Sequence, residues 1–206
     1  MTEITDLINN KIVNILLLIL SIMLVSCESN YQKQDYTSTI VIGSQTWMLN
    51  SLDVDHYQNG DSIPYVQDPE VWRALKSGAW CYYENDENES VKLYNWYAVH
   101  DPRGIAPEGW HIPSEGEYLD LINNDKFNTK EFVIIYPGFR FTNGKFYHKG
   151  SYSYFWTSSV KSGPHAAALE IGNEGTNPDI DYFSLNCGFS VRCVKDNADF
   201  ASVSVK

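Results

Sequence analysis

The first apolar segment of the chain runs from Ile12 to Val25 and contains no charged residue. A helix that crosses a bilayer needs about 20 apolar residues, so this segment is too short to span a membrane comfortably. A short apolar segment that closes on small residues is typical of a secretory signal peptide. The polar residues from Glu28 to Ser38 show no periodicity, which indicates a flexible tether ahead of a folded domain.

Apolar segments after residue 38 predict a domain that is rich in strands. Gly43-Ser44 and Asn143-Gly144 each lie between apolar segments and predict two hairpins, because glycine accepts the positive φ of a tight turn. The strand before the second hairpin is expected over Phe132–Phe141. Further strands are expected at residues 80–83, 165–171, 180–185 and 188–194.

Two short helices are predicted. Asp68-Pro69-Glu70 supplies a cap, a proline at the first helical position and an acid in the first turn, and Gly78 is a stop signal, so the first helix is expected over 69–77. Ser114 and Glu117 form a capping box at the start of the second. The predicted fold class is α+β, with a mostly antiparallel twisted sheet and long loops at 84–90 and 172–180 that face outward.

The two faces of the last predicted strand differ in character. Successive side chains of a strand point to opposite faces. One face carries Cys187, Phe189, Val191 and Cys193, and the other carries Gly188, Ser190 and Arg192. The first face is predicted to be core.

Composition narrows the function. The chain has 206 residues and a formal net charge of −11, which argues against a surface for nucleic acid or for anionic membranes. Its hydrophobic content of 43% and aromatic content of 14% are higher than in a disordered segment and fit an exported, β-rich domain with its own core.

Cys27 predicts where the protein is located. The segment Leu24-Val25-Ser26-Cys27 resembles the bacterial lipobox, whose cysteine receives a diacylglycerol and becomes the new N-terminus. The resemblance implies a signal peptide over residues 1–26 and a lipidated tether over 27–38. We therefore expect an exported protein that is anchored by lipid to the outer membrane or cell surface.

Three further cysteines raise the question of a disulfide. If residues 187–194 form a strand, Cys187 and Cys193 are about 20 Å apart, whereas the Cα atoms of a disulfide are about 4.4 to 6.8 Å apart. These two cysteines therefore cannot pair with each other. A bond between Cys81 and Cys193 is favoured, and a Cys81–Cys187 bond or a fully reduced set remains open.

Six elements in chain order resemble the Fibrobacter succinogenes major paralogous domain, a family of exported and lipid-anchored proteins. They are Ile42–Leu52, Trp80–Tyr83, Leu93–Val99, Ala106–Glu117, Phe155–Ser159 and Gly188–Asp196. The domain is accordingly expected over residues 39–196, with a C-terminal tail at 197–206. The resemblance implies a C-type-lectin-like fold and no settled activity. Cys81 and Cys193 fall inside the six elements and Cys187 does not, which favours the Cys81–Cys193 bond.

No catalytic centre is predicted. His111 lies beside a helix cap, but no second His or Cys stands at ligand spacing, so it is interpreted as a structural residue. Ser158-Ser159 lies in no glycine elbow and has no assignable His and Asp partners. The protein is expected not to be an enzyme.

Two groups of residues are candidate binding sites. Asn177, Asp179 and Asp181 place amide and carboxylate oxygens around a proline, and such oxygens suit Ca²⁺, the one cofactor that the sequence suggests. Tyr152 and Tyr154 follow the second hairpin, and exposed rings can stack on sugars or anchor a protein partner. Trp156, which also follows the second hairpin, is expected to be buried.

These patterns predict a cell-surface lipoprotein that acts as a non-catalytic binding or adhesion module. Its expected ligand is a glycan or another surface protein. The alternatives are a structural subunit of a surface assembly and, in third place, an enzyme on a scaffold similar to the formylglycine-generating enzymes.

Overall fold

The computed structural model describes residues 38–89, 91–133, 135–161, 163–173 and 177–196. The predicted signal peptide, Cys27, the tether up to residue 37 and the tail at 197–206 lie outside the described residues. Within these described ranges, no helix combines the length and apolar character needed to cross a membrane.

Strands dominate the described part of the chain. In chain order they are β1 Thr39–Ile42, β2 Gln45–Met48, β3 Trp80–Tyr82, β4 Lys92–Asn95, β5 Trp110–His111, β6 Phe139–Arg140, β7 Phe146–Tyr147, β8 Tyr152–Val160, β9 His165–Gly172, β10 Asp179–Ser184, β11 Gly188–Phe189 and β12 Val194–Lys195. They form three sheets with the orders β1-β2-β12-β5, β10-β9-β8 and β3-β4-β11-β6-β7. Neighbouring strands pair in antiparallel fashion, which fits the predicted α+β class.

The two predicted helices are confirmed as α1, Pro69–Ala74, and α3, Glu115–Ile122. Asp68 accepts from two backbone amides at the start of α1, and the Ser114–Glu117 capping box is present at α3. Helix α1 ends before Gly78, because Leu75 already has an extended backbone.

Two further four-residue helices were not predicted: α2, Trp96–Val99, and α4, Thr129–Phe132. An asparagine caps each of them. Phe132 therefore ends a helix, and its assignment to a strand was wrong.

Both predicted hairpins are confirmed. Ile42 pairs with Gln45 across the first turn, and Arg140 pairs with Phe146 across the second. Gly144 in the second turn has a φ of +79°, and a Cβ there would lie 2.4 Å from the Cβ of Pro69. Glycine is therefore required where this hairpin meets the first turn of α1.

The predicted strand at 188–194 is divided between two sheets. Strand β11 pairs with β4 and β6, whereas β12 pairs with β2 and β5. The chain between them is buried on every side, and Arg192 is only 3% exposed. The predicted core face, with Cys187, Phe189, Val191 and Cys193, is buried as expected, but Ser190 and Arg192 on the other face are buried as well.

The predicted Cys81–Cys193 disulfide was also wrong, and so was the Cys81–Cys187 alternative. The three described cysteines are free and buried. Cys81 packs beneath α1, whereas Cys187 and Cys193 belong to a different cluster. Burial raises the pKa of Cys81 and of Cys187 to about 12, so these thiols remain protonated and pack as small apolar side chains.

The core contains three clusters, each with a fully buried tryptophan. Trp156 lies in the largest cluster, 4.4 Å from the ring of Phe189, so its predicted burial is confirmed. Trp72 packs beneath α1. The Trp47 cluster lies beneath α3 and α4 and includes Trp47, Tyr118, Phe132, Phe155 and Leu169. Burial of each such large side chain contributes about 1.5 to 3 kcal/mol.

Candidate functional site

Four aromatic side chains follow one another on the surface where β6, β7 and β8 meet. We call this group the aromatic strip, and its members are Phe141, Tyr147, His148 and Tyr152. Phe141 is 42% exposed and Tyr147 is 38% exposed. Their ring centroids lie 6.2 Å apart, and those of His148 and Tyr152 lie 5.2 Å apart. The strip therefore consists of two pairs of contacting rings, and the ring of Phe139 contacts both pairs.

The buried ring of Phe139 supports the strip from below. Its centroid lies 5.8 Å from that of Tyr147 and 5.3 Å from that of His148. The preceding residue, Gly138, allows this close approach, because a Cβ there would lie 2.3 Å from the backbone oxygen of Tyr147. The position of the strip thus depends on a glycine and a phenylalanine that do not belong to it.

His148 has an unusual backbone. Its φ of +65° lies in the left-handed region, which costs a non-glycine residue about 1 kcal/mol or more. Its Nδ1 lies 2.8 Å from the hydroxyl of Tyr154, which holds the ring in place. Strained residues of this kind are found more often at functional positions than elsewhere.

A row of carboxylates lies beside the strip, and we call Glu170, Asp179 and Asp181 the acid row. Glu170 pairs with Tyr154 on β8 and with Asp179 on β10, and Asp181 lies two residues after Asp179 on the same strand. The three carboxylates of the acid row therefore share one sheet face. Burial raises the pKa of Glu170, the interaction with His148 opposes this rise, and the charges of Asp181 and Asp179 raise the pKa further. The row is therefore a region of concentrated negative charge.

The two predicted tyrosines have different environments. Tyr152 is half-buried and belongs to the strip, as a binding role requires. Tyr154 is only 2% exposed beneath Phe139, Phe183 and Phe189, so its expected place on an open surface was wrong.

The predicted calcium ligands are partly brought together. Asp179 and Asp181 lie two residues apart on β10, and Asn177 precedes the strand. One oxygen of each aspartate already accepts a hydrogen bond from the next backbone amide, at 2.8 and 2.7 Å. Within the described ranges, no group of three or more His, Cys, Asp or Glu side chains is arranged to hold a metal ion.

A concave region surrounds His111. Two adjoining cavities of about 430 and 510 Å³ share His111 and Ser158 in their walls. The Nε2 of His111 lies 2.7 Å from Glu117, and its Nδ1 lies 2.7 Å from Asp196. The hydroxyl of Ser114 donates to Glu117 at 2.8 Å. We call these contacts the His111 bridge.

In the His111 bridge the imidazole ring is held between two carboxylates. The hydrogen bond to Glu117 raises the pKa of His111 despite burial, and the bond to Asp196 adds to the rise. Burial alone would raise the pKa of Glu117, but hydrogen bonds from His111 and Ser114 outweigh it and lower that pKa. When His111 is protonated, both ring nitrogens donate to these carboxylates, and the ring then has no lone pair for a proton or a metal ion.

Comparison with known proteins identifies the family. Residues 40–132 match the model of the Fibrobacter succinogenes major domain. No curated protein and no solved structure matches the chain. The matched segment of the chain contains His111 and Glu117, whereas the aromatic strip and the acid row lie beyond residue 132.

Sequence reasoning missed Phe141, His148 and Glu170. The apolar pattern places Phe141 in a strand and gives no sign of its exposure, and His148 lies in no motif. The Asn143-Gly144 turn contained a usable signal, because a tight hairpin brings the residues on either side of it together. The contact of Glu170 with the strip depends on strand register and had no local signal.

Proposed function

We propose that this protein is a non-catalytic binding module and that its ligand is a neutral glycan held at the aromatic strip. The observation that carries the proposal is the side-by-side exposure of Phe141 and Tyr147. Large exposed apolar patches on soluble proteins mark interaction sites. A sugar ring has an apolar face that can lie on such rings, while its hydroxyls remain available to polar groups.

The neighbourhood of the strip supplies those polar groups. The carboxylates of the acid row can accept hydrogen bonds from sugar hydroxyls, and such charge-assisted bonds are stronger than neutral ones. The side-chain amide of Asn143 donates to the hydroxyl of Tyr147 at 3.2 Å and fixes its direction. The same negative charge disfavours anionic glycans, so the proposed ligand is neutral.

The closed hydrogen bonding of His111 supports a non-catalytic role. A general base needs a ring nitrogen that can accept a proton from substrate. Both nitrogens of His111 lie against carboxylates. The cavities around it are therefore interpreted as features of a structural junction.

We also propose that a lipid on Cys27 anchors the exported protein to the outer membrane or cell surface and that the fold is C-type-lectin-like. The lipobox resemblance supports the first proposal, and the family resemblance supports the second. Replacing Cys27 with serine is expected to release the protein from the membrane fraction. Retention of that variant in membranes contradicts the lipid anchor.

A glycan array tests the binding proposal. Wild-type protein is expected to bind neutral oligosaccharides, and Phe141→Ala or Tyr147→Ala is expected to weaken binding about tenfold. Val41→Ala is the matched control, because Val41 is 65% exposed but lies in another sheet. Binding that is lost equally in all three variants, or that is absent in the wild type, contradicts the proposal and points to a protein partner.

The same array tests calcium. Binding that persists in EDTA supports stacking on the aromatic strip. Binding that EDTA abolishes, and that Asp181→Asn weakens, supports a calcium site at Asn177, Asp179 and Asp181.

A further inference from the structure

Arg192 is a buried arginine with few partners. Its guanidinium carbon lies 4.3 Å from the ring centroid of Phe132 and 4.8 Å from that of Phe155. One terminal nitrogen donates to the backbone carbonyl of Phe132. Its Nε–H has no hydrogen-bond acceptor among the described residues. The cation is therefore stacked between rings but incompletely hydrogen-bonded.

Two more unpartnered donors lie in the same cluster. The indole nitrogen of Trp47 and the hydroxyl of Tyr118 are buried and have no hydrogen-bond partner in the described part of the chain. The rings of Trp47 and Tyr118 stack at 5.1 Å, and the ring of Trp47 meets that of Phe132 at 5.7 Å. Trp47 thus contacts both Tyr118 and Phe132, and Arg192 stacks on Phe132, so the three donor residues belong to one packed cluster.

The charge of Arg192 has no described counter-ion. Burial lowers the pKa of Arg192 to about 10, so the side chain remains charged at neutral pH. None of the ion pairs in the described ranges involves it. A buried charge without compensation is strongly unfavourable.

Arg140 has no described ion pair either, but it shows how the hydrogen-bond donors of a buried arginine are satisfied in the same fold. It is fully buried, and its nitrogens donate to the carbonyls of Val66, Gln67 and Gly144 at 2.6, 2.7 and 3.1 Å. Its guanidinium also rests on the ring of Trp72. The environment of Arg192 has the rings, but its Nε–H lacks an acceptor such as the one that Gly144 provides for the Nε–H of Arg140.

We propose that Arg192, Tyr118 and Trp47 together bind one small monovalent anion, such as chloride or bromide, inside the Trp47 cluster. An anion accepts hydrogen bonds from all three donors and compensates the guanidinium charge. A water molecule can accept two hydrogen bonds, but it also needs acceptors for its own protons. This cluster contains donors without acceptors and a positive charge without a counter-ion. An anion compensates both, whereas a water molecule does not compensate the charge.

This site is distinct from the aromatic strip. Phe155 and Leu169 point into the Trp47 cluster, whereas Tyr154 and Glu170, their neighbours in sequence, belong to the opposite face of the same sheet. The anion is therefore a structural ligand that holds α3 and α4 against the sheet. The inference does not rest on the proposed glycan binding.

Anion binding is tested first by thermal unfolding at constant pH and ionic strength. Replacing sodium gluconate with sodium chloride or bromide is expected to raise the Tm of the wild-type protein in a saturable way. Arg192→Met is expected to remove this dependence on anion identity. Arg140→Met is the matched control, since it replaces a buried arginine that already has its acceptors and should retain the dependence.

Variants that delete one donor while keeping an aromatic side chain provide a second test. Tyr118→Phe and Trp47→Phe are each expected to weaken chloride binding about fivefold to tenfold, measured by chloride NMR line broadening on the folded protein. These variants decide the matter even if Arg192→Met fails to fold. A Tm that is independent of anion identity, or broadening equal in wild type and both variants, overturns the proposal and assigns the donors to buried water.

Discussion

The aromatic strip and the Trp47 cluster are built from the same types of side chain but differ in what they lack. The strip lacks a cover over its rings, and the cluster lacks hydrogen-bond acceptors. The rings of the strip are supported from below and open above, so their apolar faces have no cover. The rings of the Trp47 cluster are fully covered, but three donors among them have no acceptor. What each region lacks indicates the ligand that would complete it, a sugar face in one case and a small anion in the other.

The largest expected effect separates the two regions by stability. Phe132→Ala is expected to lower the free energy of unfolding by about 3 to 5 kcal/mol, because Phe132 is fully buried and contacts both Trp47 and Arg192. Phe141→Ala should cost less than about 0.5 kcal/mol, as is usual for exposed positions. Urea denaturation measures both, and similar losses for the two variants contradict the distinction.

The second prediction concerns binding, which should depend on the aromatic strip and not on overall stability. The double variant Phe141→Ala with Tyr147→Ala is expected to lose about 2 to 3 kcal/mol of glycan binding, since both anchors are removed. Its unfolding curve should remain close to that of the wild type. Titration calorimetry gives the affinity, and unchanged affinity in a folded double variant excludes the strip as the binding surface.

The third prediction concerns the buried cation. In chloride, Arg192→Met is expected to be about 1 to 2 kcal/mol less stable than the wild type. In gluconate the difference should shrink or change sign, because replacing an uncompensated buried ion with an apolar side chain is often neutral or stabilising. An equal difference in both salts contradicts a bound anion.

The smallest expected effect belongs to the His111 bridge. Because the pKa of His111 is raised in the folded state, its contribution to folding stability is fully present below the unfolded pKa of about 6.5. That contribution is lost as the pH rises through the folded-state pKa. A lowered pKa of Glu117 means that its contribution is lost on acidification. Stability from the bridge should therefore be greatest between about pH 4.5 and 6.5.

Stability should fall by at most about 1 kcal/mol between pH 6 and pH 8, because the partners are partly exposed. His111→Gln should remove this fall, whereas Arg192→Met should retain it. Denaturant midpoints across this pH range provide the measurement. A fall that persists in His111→Gln assigns the titration to another group.

Local signals predicted the elements that local interactions determine. The Ser114–Glu117 capping box and the turn at Asn143-Gly144 involve contacts within a few residues, and both were confirmed. Helix α4 was missed because its Asn128 cap precedes only one helical turn, too short for a periodic pattern.

Features that depend on sheet assembly were not predictable in this way. The division of residues 188–194 between two sheets buries Arg192, although strand alternation placed it away from the core. The disulfide prediction failed because residue spacing alone does not reveal which cluster a cysteine joins. The meeting of the strip with Glu170 depends on the register between β8 and β9.

Saturation-transfer NMR with a neutral oligosaccharide selected from the array tests the central claim most directly, because it irradiates aromatic protons and detects the ligand protons next to them. We predict strong saturation of the protons on one face of the sugar ring in the wild type and in Val41→Ala. The signal should be absent in the Phe141→Ala, Tyr147→Ala double variant. Equal saturation in that double variant, or its loss in Trp110→Ala beside the His111 bridge instead, would contradict binding at the aromatic strip.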